Sequence, residues 1–346
     1  MTSERFPAGS ASVRIDVHSH FQSLEFVKHL VGRGELPRAV REGGTYIVDC
    51  GAGLRVPSLP EIVDVEAKLD AMDRLGVDVS VLTHGLPLGP DVLGVEADDW
   101  AMRINDELAG VVAAYPGKFV GFGSLGLGDP RRTVAEVERC VTELGFRGFQ
   151  LFSNLASLDS GRVRPVLRRI ARLGVPVHLH PTFPLRHGLT GASLMLGFAF
   201  PVDSSLAVTR LIGDGLFDET PSLELIVSHV GGVLPYLMGR LDVYTRPSQL
   251  TSGSMRLARP FGDYLRGLHV DTVCYSRAAL ECCHATLGAS RMIYGTDHPF
   301  GEPIQAGELI DSLDCSPDER ELIYHGNLEA LTQAADATKS AALERA

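Results

Sequence analysis

Two histidines near the N-terminus are the first residues of this chain whose type and spacing suggest chemistry. His18 and His20 close a short apolar run that begins at Ile15. Side chains two apart in a β-strand lie on the same face, so both imidazoles are expected to project together. Paired neutral imidazoles suit a transition-metal ion such as zinc. Taken alone the pair is a weak indication, because a histidine at a strand end is more often simply hydrogen-bonded.

Three later segments also place histidine or aspartate at the end of a predicted strand. They contain His178 and His180, then His229, and finally Asp297. His178 and His180 share a face, and His180 lies nearer the strand's C-terminal end, so we expect His180 to be a ligand and His178 to be deeper and hydrogen-bonded. Three imidazoles and one carboxylate match a metal site with room for water or substrate. The predicted ligands are therefore His18, His20, His180 and Asp297.

His229 and Asp297 each allow more than one role. His229 suits a general acid or base, because Gly231 and Gly232 let the backbone turn tightly after it. It is alternatively a further metal ligand. Asp297 is interpreted as a ligand that also hydrogen-bonds bound water, although a lone aspartate can equally cap the following helix. Five suitable side chains on four strand ends favour one catalytic site that includes His229 and Asp297.

Short apolar runs alternate with helix-patterned segments along the chain. Helical spacing of apolar residues predicts helices over Val65–Leu75, Trp100–Ala114, Arg132–Leu144 and Val163–Leu173. Glycines that follow several of these segments fit left-handed helix caps. The predicted strands are Val13–His18, Val77–Thr83, Phe119–Ser124, Gly148–Phe152, Val175–His180, Leu225–Ser228, Leu268–Val273 and Met292–Gly295.

Eight strand–helix units predict an α/β fold, a (β/α)₈ TIM barrel, as one domain over residues 1–346. An open doubly wound sheet is the alternative, but its first strand normally leads into a glycine-rich turn, and here it ends in histidines. We expect an insertion after strand 1 over 22–59, with a hairpin at Thr45–Val48 and Leu54–Val56. A lid segment after strand 5 is expected over 182–203, and a C-terminal tail over 332–346.

Composition narrows the class of protein. The 346 residues are 45% hydrophobic and carry 43 acidic against 32 basic side chains, a formal net charge of -11. Without a basic stripe, nucleic acid and anionic membranes are not expected as partners. The six cysteines are scattered without a CxxC pair, which is typical of reduced thiols. No apolar run has the length of a signal or membrane segment, so the protein is expected to be cytoplasmic.

The site motifs resemble those of the amidohydrolase superfamily, most closely its aminocarboxymuconate-semialdehyde decarboxylase branch. The likeness runs over nearly the whole chain, and two segments between the site motifs, Tyr115–Gly123 and Glu138–Phe146, also resemble that branch. The motifs are Asp16-Val17-His18-Ser19-His20-Phe21, His180-Pro181, Ser228-His229-Val230-Gly231-Gly232 and Tyr294-Gly295-Thr296-Asp297-His298-Pro299-Phe300.

The resemblance implies that the four predicted ligands bind one divalent metal, usually zinc, and that His229 handles protons. It also implies a homodimer in which an arginine, here Arg240, contacts the substrate carboxylate, sometimes across the dimer interface. Arg246 is a second candidate, and helix-surface charge is the alternative for both. The chain departs from the branch at two places: Arg55 is the nearest arginine to the expected insertion position, and Thr182 replaces a tryptophan. These changes put aminocarboxymuconate itself in doubt as substrate.

The leading hypothesis is a metal-dependent, non-oxidative decarboxylase of a small unsaturated or aromatic carboxylic acid, with Zn²⁺ favoured over Mn²⁺. A hydrolase of a lactone, ester or amide that uses the same centre is the alternative. A metal-free barrel that serves as a binding or scaffold protein is a second rival. Phe21 and Phe300, like Phe152 and Phe183, lie where they can stack on a planar substrate, although core packing is the commoner use of phenylalanine.

Overall fold

Eight parallel strands form the central sheet of this protein. The structure is a computed structural model that describes residues 13–51, 53–153, 158, 161–182, 191–246, 257–301 and 303–333. Within these ranges the strands are β1 (Ile15–Phe21), β2 (Arg38–Glu42), β3 (Thr45–Gly51), β4 (Leu54–Pro57), β5 (Val79–His84), β6 (Phe119–Ser124), β7 (Gly148–Phe152), β8 (Val177–His180), β9 (Leu225–Val227), β10 (His269–Asp271) and β11 (Met292–Ile293).

The central sheet runs in the order β1-β5-β6-β7-β8-β9-β10-β11 and closes on itself. At the closing edge, the N–H of Val17 donates to the carbonyl of Tyr294 (3.0 Å), and the N–H of His20 donates to the carbonyl of His298 (3.0 Å). The predicted (β/α)₈ TIM barrel is confirmed. In such a barrel the C-terminal strand ends meet at one rim, which is where the predicted ligands lie in sequence.

Helices connect the strands and cover the outside of the barrel. A π-helix at Met195–Ala199 links Ala192–Leu194 to Phe200–Gly213, and a second π-helix lies at Leu322–Gly326. The remaining helices are Leu24–Leu30, Pro60–Val63, Val65–Leu75, Ala97–Ala114, Pro130–Thr142, Val163–Leu173, Leu216–Glu219, Ser228–Gly231, Leu234–Tyr244, Phe261–Leu265, Arg277–Leu287, Pro303–Asp311 and Pro317–Glu321, with 3₁₀ turns at Pro90–Glu96 and Ala289–Arg291.

Local sequence determines several helix ends. The helix Val65–Leu75 begins after Asp64, whose carboxylate accepts hydrogen bonds from the N–H groups of Glu66 and Ala67. It ends at Gly76, which adopts a left-handed conformation with φ of 65°. Gly174 ends the helix Val163–Leu173 in the same way, with φ of 69°. A residue with a Cβ is strained in this conformation, which explains the glycines.

The insertion after β1 contains a helix and a small antiparallel sheet. Strands β3 and β4 lie where the hairpin was expected, and β2 adds a third strand, in the order β2-β3-β4. Sequence reasoning missed β2 because three of its five residues are charged. In the lid candidate 182–203, residues 183–190 lie outside the described part of the chain, as do 334–346 of the tail. The single-domain assignment stays a prediction.

Two hydrophobic clusters hold the barrel together. An inner cluster fills the barrel and includes Ile15, Val17, Val79 and Val81. A much larger outer cluster lies between strands and helices. One helical stretch, Ala192–Gly213, is long and apolar enough to cross a membrane by length and composition, but core helices of soluble proteins pass the same test.

Candidate metal centre

A bulge in β1 directs both of its histidines into the barrel. The register of β1 against β5 pairs Asp16 with Ser80 and Ser19 with Leu82, so β1 holds one extra residue between these pairs. Ile15 and Val17 already belong to the inner cluster. Without the extra residue, strict alternation would turn His18 away from the barrel interior. Because of the bulge, the apolar side chains of Ile15 and Val17 and the two imidazoles lie on the same side of β1.

The structure brings the four predicted ligands together. Nitrogen and oxygen atoms of His18, His20, His180 and Asp297 all lie within 4.8 Å of one another. Asp297 Oδ1 lies 3.2 Å from His18 Nε2 and 2.9 Å from His20 Nε2. The three histidines are buried. We refer to these four residues as the histidine–aspartate cluster.

His178 and His180 occupy different layers of the barrel. His180 Nδ1 lies 2.7 Å from the carbonyl of Pro181, which fixes its tautomer and leaves Nε2 for the cluster. His178 Nε2 lies 3.1 Å from Ser228 Oγ and 3.4 Å from Asp271 Oδ2. The structure thus places His178 against hydrogen-bonding partners and His180 in the cluster. This geometry supports the choice of His180 as ligand.

Asp271 is a site residue that sequence reasoning missed. Its carboxylate is fully buried at the end of β10, where Oδ2 lies 2.7 Å from His18 Nδ1. Oδ1 accepts hydrogen bonds from the N–H groups of His229 (2.7 Å) and Val273 (3.1 Å). An acceptor at His18 Nδ1 directs the Nε2 lone pair into the cluster. The available signal was a lone aspartate inside the predicted strand Leu268–Val273.

A second missed carboxylate, Asp16, holds the turn that carries Asp297. Asp16 Oδ1 accepts from the N–H groups of His18 and Thr296, both at 3.0 Å, and Oδ2 accepts from Thr296 Oγ1 at 2.6 Å. Burial raises the pKa of Asp16 to about 6, although these hydrogen bonds oppose the shift. Asp297 has a φ of 61°, a strained conformation for aspartate. Asp16 therefore helps to hold the strained backbone of Asp297 at the cluster.

The charges of the site suit a cation. Burial lowers the pKa of His18, but Asp297 and Asp271 outweigh it and raise the pKa to about 10. Burial lowers the pKa values of His20 and His180. It raises those of Asp297 and Asp271, but the adjacent histidines hold both well below the usual range. Two carboxylates therefore face a single imidazolium, which leaves a net negative charge, and a divalent ion in place of the imidazolium proton would neutralise that charge.

The donor set also fits a divalent metal chemically. His18 Nε2, which faces the cluster, is a buried atom without a hydrogen bond in the described part of the chain. Imidazole nitrogens and a carboxylate oxygen are ligands of zinc. Residues His18, His20, His180 and Asp297 would hold the ion.

His229 lies beside the cluster rather than within it. Its Nε2 is 3.7 Å from Asp297 Oδ2, and its ring centroid is 5.3 Å from that of His18. The side chain is 15% exposed, so it can reach a bound molecule. Its φ of 57° is in the left-handed region, and the bond to Asp271 holds this strained backbone. The position suits a proton-transfer group.

The predicted substrate contacts differ in their placement. Phe300 is partly buried with its ring centroid 5.4 Å from that of His20, at the cluster. Phe21 is buried in the outer hydrophobic cluster, which favours core packing. Arg240 lies exposed on the helix Leu234–Tyr244, with its guanidinium 4.8 Å from the centre of the Tyr244 ring. Their substrate-binding roles stay predictions.

Further residues named from the sequence lie away from the cluster or support it. Arg246 is exposed, and Arg55 forms an ion pair with Glu42 in the insertion. Thr182 Oγ1 donates to the carbonyl of Pro87 at 2.8 Å, so it serves to anchor the backbone after His180. Phe183 lies outside the described residues. Phe152 lies at the cluster, with its ring centroid 5.7 Å from that of His180.

Comparison with known proteins identifies the family. The amidohydrolase family matches residues 15–331, and this chain belongs to it. A gamma-resorcylate decarboxylase from Rhodococcus jostii (strain RHA1) is 32% identical over 291 residues, covering 79% of this chain and 88% of that protein. A 2-amino-3-carboxymuconate-6-semialdehyde decarboxylase from Dictyostelium discoideum is 29% identical over 280 residues, covering 76% of this chain and 75% of that one.

A solved structure of similar fold adds to the comparison. The dihydroxybenzoic acid decarboxylase from Polaromonas sp. JS666, with bound manganese and the inhibitor 2-nitroresorcinol, is 26% identical, with a TM-score of 0.74 over 93% of this chain and 97% of that one. The expected membership of the decarboxylase branch of the amidohydrolase superfamily is confirmed. The chain is accordingly assigned to the carboxy-lyases of that superfamily.

Proposed function

We propose that this protein is a metal-dependent, non-oxidative decarboxylase of a small aromatic or unsaturated carboxylic acid. The observation that carries the proposal is the cluster itself, three imidazoles and a carboxylate within 4.8 Å of one another, with His229 Nε2 3.7 Å from Asp297. Decarboxylases among the relatives favour this reaction over hydrolysis of a lactone, ester or amide.

A planar substrate fits the surroundings of the cluster. Phe300 and Phe152 flank it, with ring centroids 5.4 Å from His20 and 5.7 Å from His180. Aromatic rings at these separations bind other planar π-systems through stacked or edge-to-face contacts. An aromatic acid with an oxygen substituent beside its carboxylate is the substrate class that we propose. The gamma-resorcylate and dihydroxybenzoic acid decarboxylases among the relatives support this class.

His229 is proposed to deliver the proton that replaces the carboxylate. Protonation of the ring carbon that bears the carboxylate creates an electron-poor ring, which accepts the electron pair of the breaking C–C bond as CO₂ leaves. One C–C bond breaks and one C–H bond forms, so no oxidant or organic cofactor is needed. A divalent ion in the cluster would polarise the carboxylate and its neighbouring oxygen. Asp297, 3.7 Å from His229 Nε2, stabilises the imidazolium before transfer.

We propose zinc as the ion, with manganese as the second candidate. Three imidazole donors favour zinc, whereas the Polaromonas structure contains manganese. Elemental analysis of the purified protein, followed by chelation and reconstitution with each ion, decides between them. A chain that contains no metal and does not bind added zinc or manganese would instead favour a metal-free barrel.

We further propose a cytoplasmic homodimer that acts on a free small-molecule carboxylate, without nucleic-acid or membrane partners. The helix Leu234–Tyr244 exposes 81% of Tyr236, 60% of Val243 and 58% of Tyr244. A second copy that covers this face would bury the apolar residues and bring Arg240 towards the partner's site. Light scattering across a dilution series measures the oligomeric state.

The reaction is tested by measuring CO₂ release from hydroxybenzoates and muconates, and ring opening of lactones in parallel. We expect CO₂ release from at least one hydroxybenzoate, lost on chelation and restored by metal. His229→Asn should abolish turnover while metal content stays near one ion per chain. Full activity in that variant would refute the role of His229, and lactone hydrolysis without CO₂ release would support the hydrolase.

A further inference from the structure

Lys68 is a buried cation directly behind the histidines of β1. Only 1% of the residue is exposed, and it is among the largest fully buried side chains described. It lies on the helix Val65–Leu75, three residues after Val65 and four before Met72, so it falls on the helix stripe that faces the barrel. A lysine at an apolar position of a helix is costly unless its charge has partners. Sequence reasoning missed this irregularity.

The ammonium group of Lys68 makes three contacts. It donates to Ser19 Oγ in a short hydrogen bond and to the carbonyl of His20 at 3.1 Å. Its third contact is His298 Nδ1, also at 3.1 Å. An ammonium has three N–H donors and no acceptor, so His298 Nδ1 must accept and the three donors are all used. All three N–H donors of the Lys68 ammonium group therefore have acceptors, which compensates for its burial.

These contacts join the two segments that supply ligands from opposite sides of the barrel closure. Ser19 and His20 belong to β1, whereas His298 directly follows Asp297. The segments are linked in the main chain by His20 N–H to the His298 carbonyl (3.0 Å) and by Asp297 N–H to the His18 carbonyl (2.8 Å). In the described barrel, β1 meets the segment after β11 through one isolated bridge, between Ser19 and His298. Lys68 adds side-chain hydrogen bonds to this junction at the metal site.

We propose that Lys68 is a positioning residue, which fixes the separation between the ligands of β1 and Asp297 and thereby sets the affinity of the cluster for its ion. The inference rests on the proposed metal centre. Lys68 itself touches neither ion nor substrate, and acts through the backbone of His20 and the ring of His298. Outer partners of metal ligands typically contribute about 10–100-fold in metal affinity.

The test compares Lys68→Met with a matched control, Lys28→Met. Lys28 lies on the helix Leu24–Leu30 with half of its side chain exposed, so its substitution leaves the cluster untouched. Co²⁺ is the probe, with its affinity measured by chelator competition and its ligand geometry by visible absorption. We expect Lys68→Met to weaken Co²⁺ binding by about tenfold or more and to alter the spectrum. Lys28→Met should match the wild type in both measurements.

A merely structural role predicts a different result. It would lower the melting temperature of the metal-free and metal-bound protein equally, whereas a positioning role reduces the increase in melting temperature that Co²⁺ produces. Lys68→Met with wild-type affinity and spectrum would overturn the proposal, whatever its stability. If that variant does not fold, Lys68→Arg decides, because its longer planar head cannot reproduce all three contacts. Weakened Co²⁺ binding in Lys68→Arg supports the proposal, and wild-type binding overturns it.

The two proposals fail in distinguishable ways. If wild-type protein does not bind Co²⁺ or zinc, the metal-dependent function fails and the role of Lys68 fails with it. If the wild type binds metal and releases CO₂ while both Lys68 variants bind Co²⁺ with wild-type affinity, only the inference about Lys68 fails.

Discussion

Replacing Asp271 by asparagine is predicted to deprive His18 of its metal-binding lone pair. In the native protein Oδ1 accepts from two main-chain N–H groups, those of His229 and Val273, and Oδ2 faces His18 Nδ1 at 2.7 Å. An asparagine that keeps its oxygen on the N–H groups turns its amide NH₂ towards His18 Nδ1. When the His18 imidazolium gives up one proton, the remaining proton must then stay on Nε2, the atom that faces the cluster.

The opposite orientation of the asparagine is no better. It restores an acceptor for His18 but points the amide NH₂ at two buried N–H donors, which leaves them unpaired at a cost of about 1–3 kcal/mol each. The first orientation therefore prevails, and we expect metal affinity to fall about 10–100-fold, equivalent to about 1.4–2.8 kcal/mol. Activity should fall with metal occupancy and recover partly at high metal concentration.

The assay is chelator competition with zinc, accompanied by circular dichroism to verify folding. Asp263→Asn serves as the control, because Asp263 is a half-exposed aspartate paired with Arg266 away from the cluster. Asp271→Asn with wild-type zinc affinity would refute the argument from the His18 tautomer. A variant that binds zinc normally but has lost turnover would instead assign Asp271 to the orientation of His229.

Two further predictions follow from charge. Because its pKa is raised to about 10, His18 is protonated at pH 8, while the other ligands are not. Zinc binding at pH 8 should therefore release about one proton. The affinity of the cluster for zinc should rise with pH until about pH 10. Calorimetry in buffers of different ionisation enthalpy counts the protons, and a count of zero or of two would contradict the assignment. Arg240→Ala should raise KM for the carboxylate substrate about tenfold or more, as loss of a charged hydrogen bond does, without changing metal content. Arg277→Ala, which alters an exposed pair with Glu281, is its control in steady-state assays, and an unchanged KM in Arg240→Ala would contradict the role.

Sequence periodicity predicted most of the fold because local rules decide it. Val65–Leu75 and Val163–Leu173 form helices over the predicted residues, since their apolar spacing and the following glycines agree. Phe119–Ser124 and Gly148–Phe152 are strands as predicted, because short apolar runs between helices have few other options. Strand β2 was missed because its charged residues conceal a strand that only pairing with β3 stabilises.

The four ligands of the cluster were predictable for a related reason, but the residues that hold these ligands in place were not. His18, His20, His180 and Asp297 each close a recognisable strand, and a barrel gathers strand ends at one rim. Asp271, Asp16 and Lys68 act through partners far along the chain, such as His298, 230 residues from Lys68. No local pattern encodes such pairings. The bulge of β1 is likewise visible only once its register against β5 is known.

The closure of the barrel between its first and last strands also constrains when the enzyme can acquire its ion. His20 and Asp297 are 277 residues apart in the chain, yet their side chains meet. At a synthesis rate of about 5–20 residues per second, the first ligands are synthesised roughly 14–55 seconds before the last one. Metal loading must therefore follow translation of nearly the entire polypeptide, and any nascent-chain fragment that ends before β11 would be unable to retain the ion.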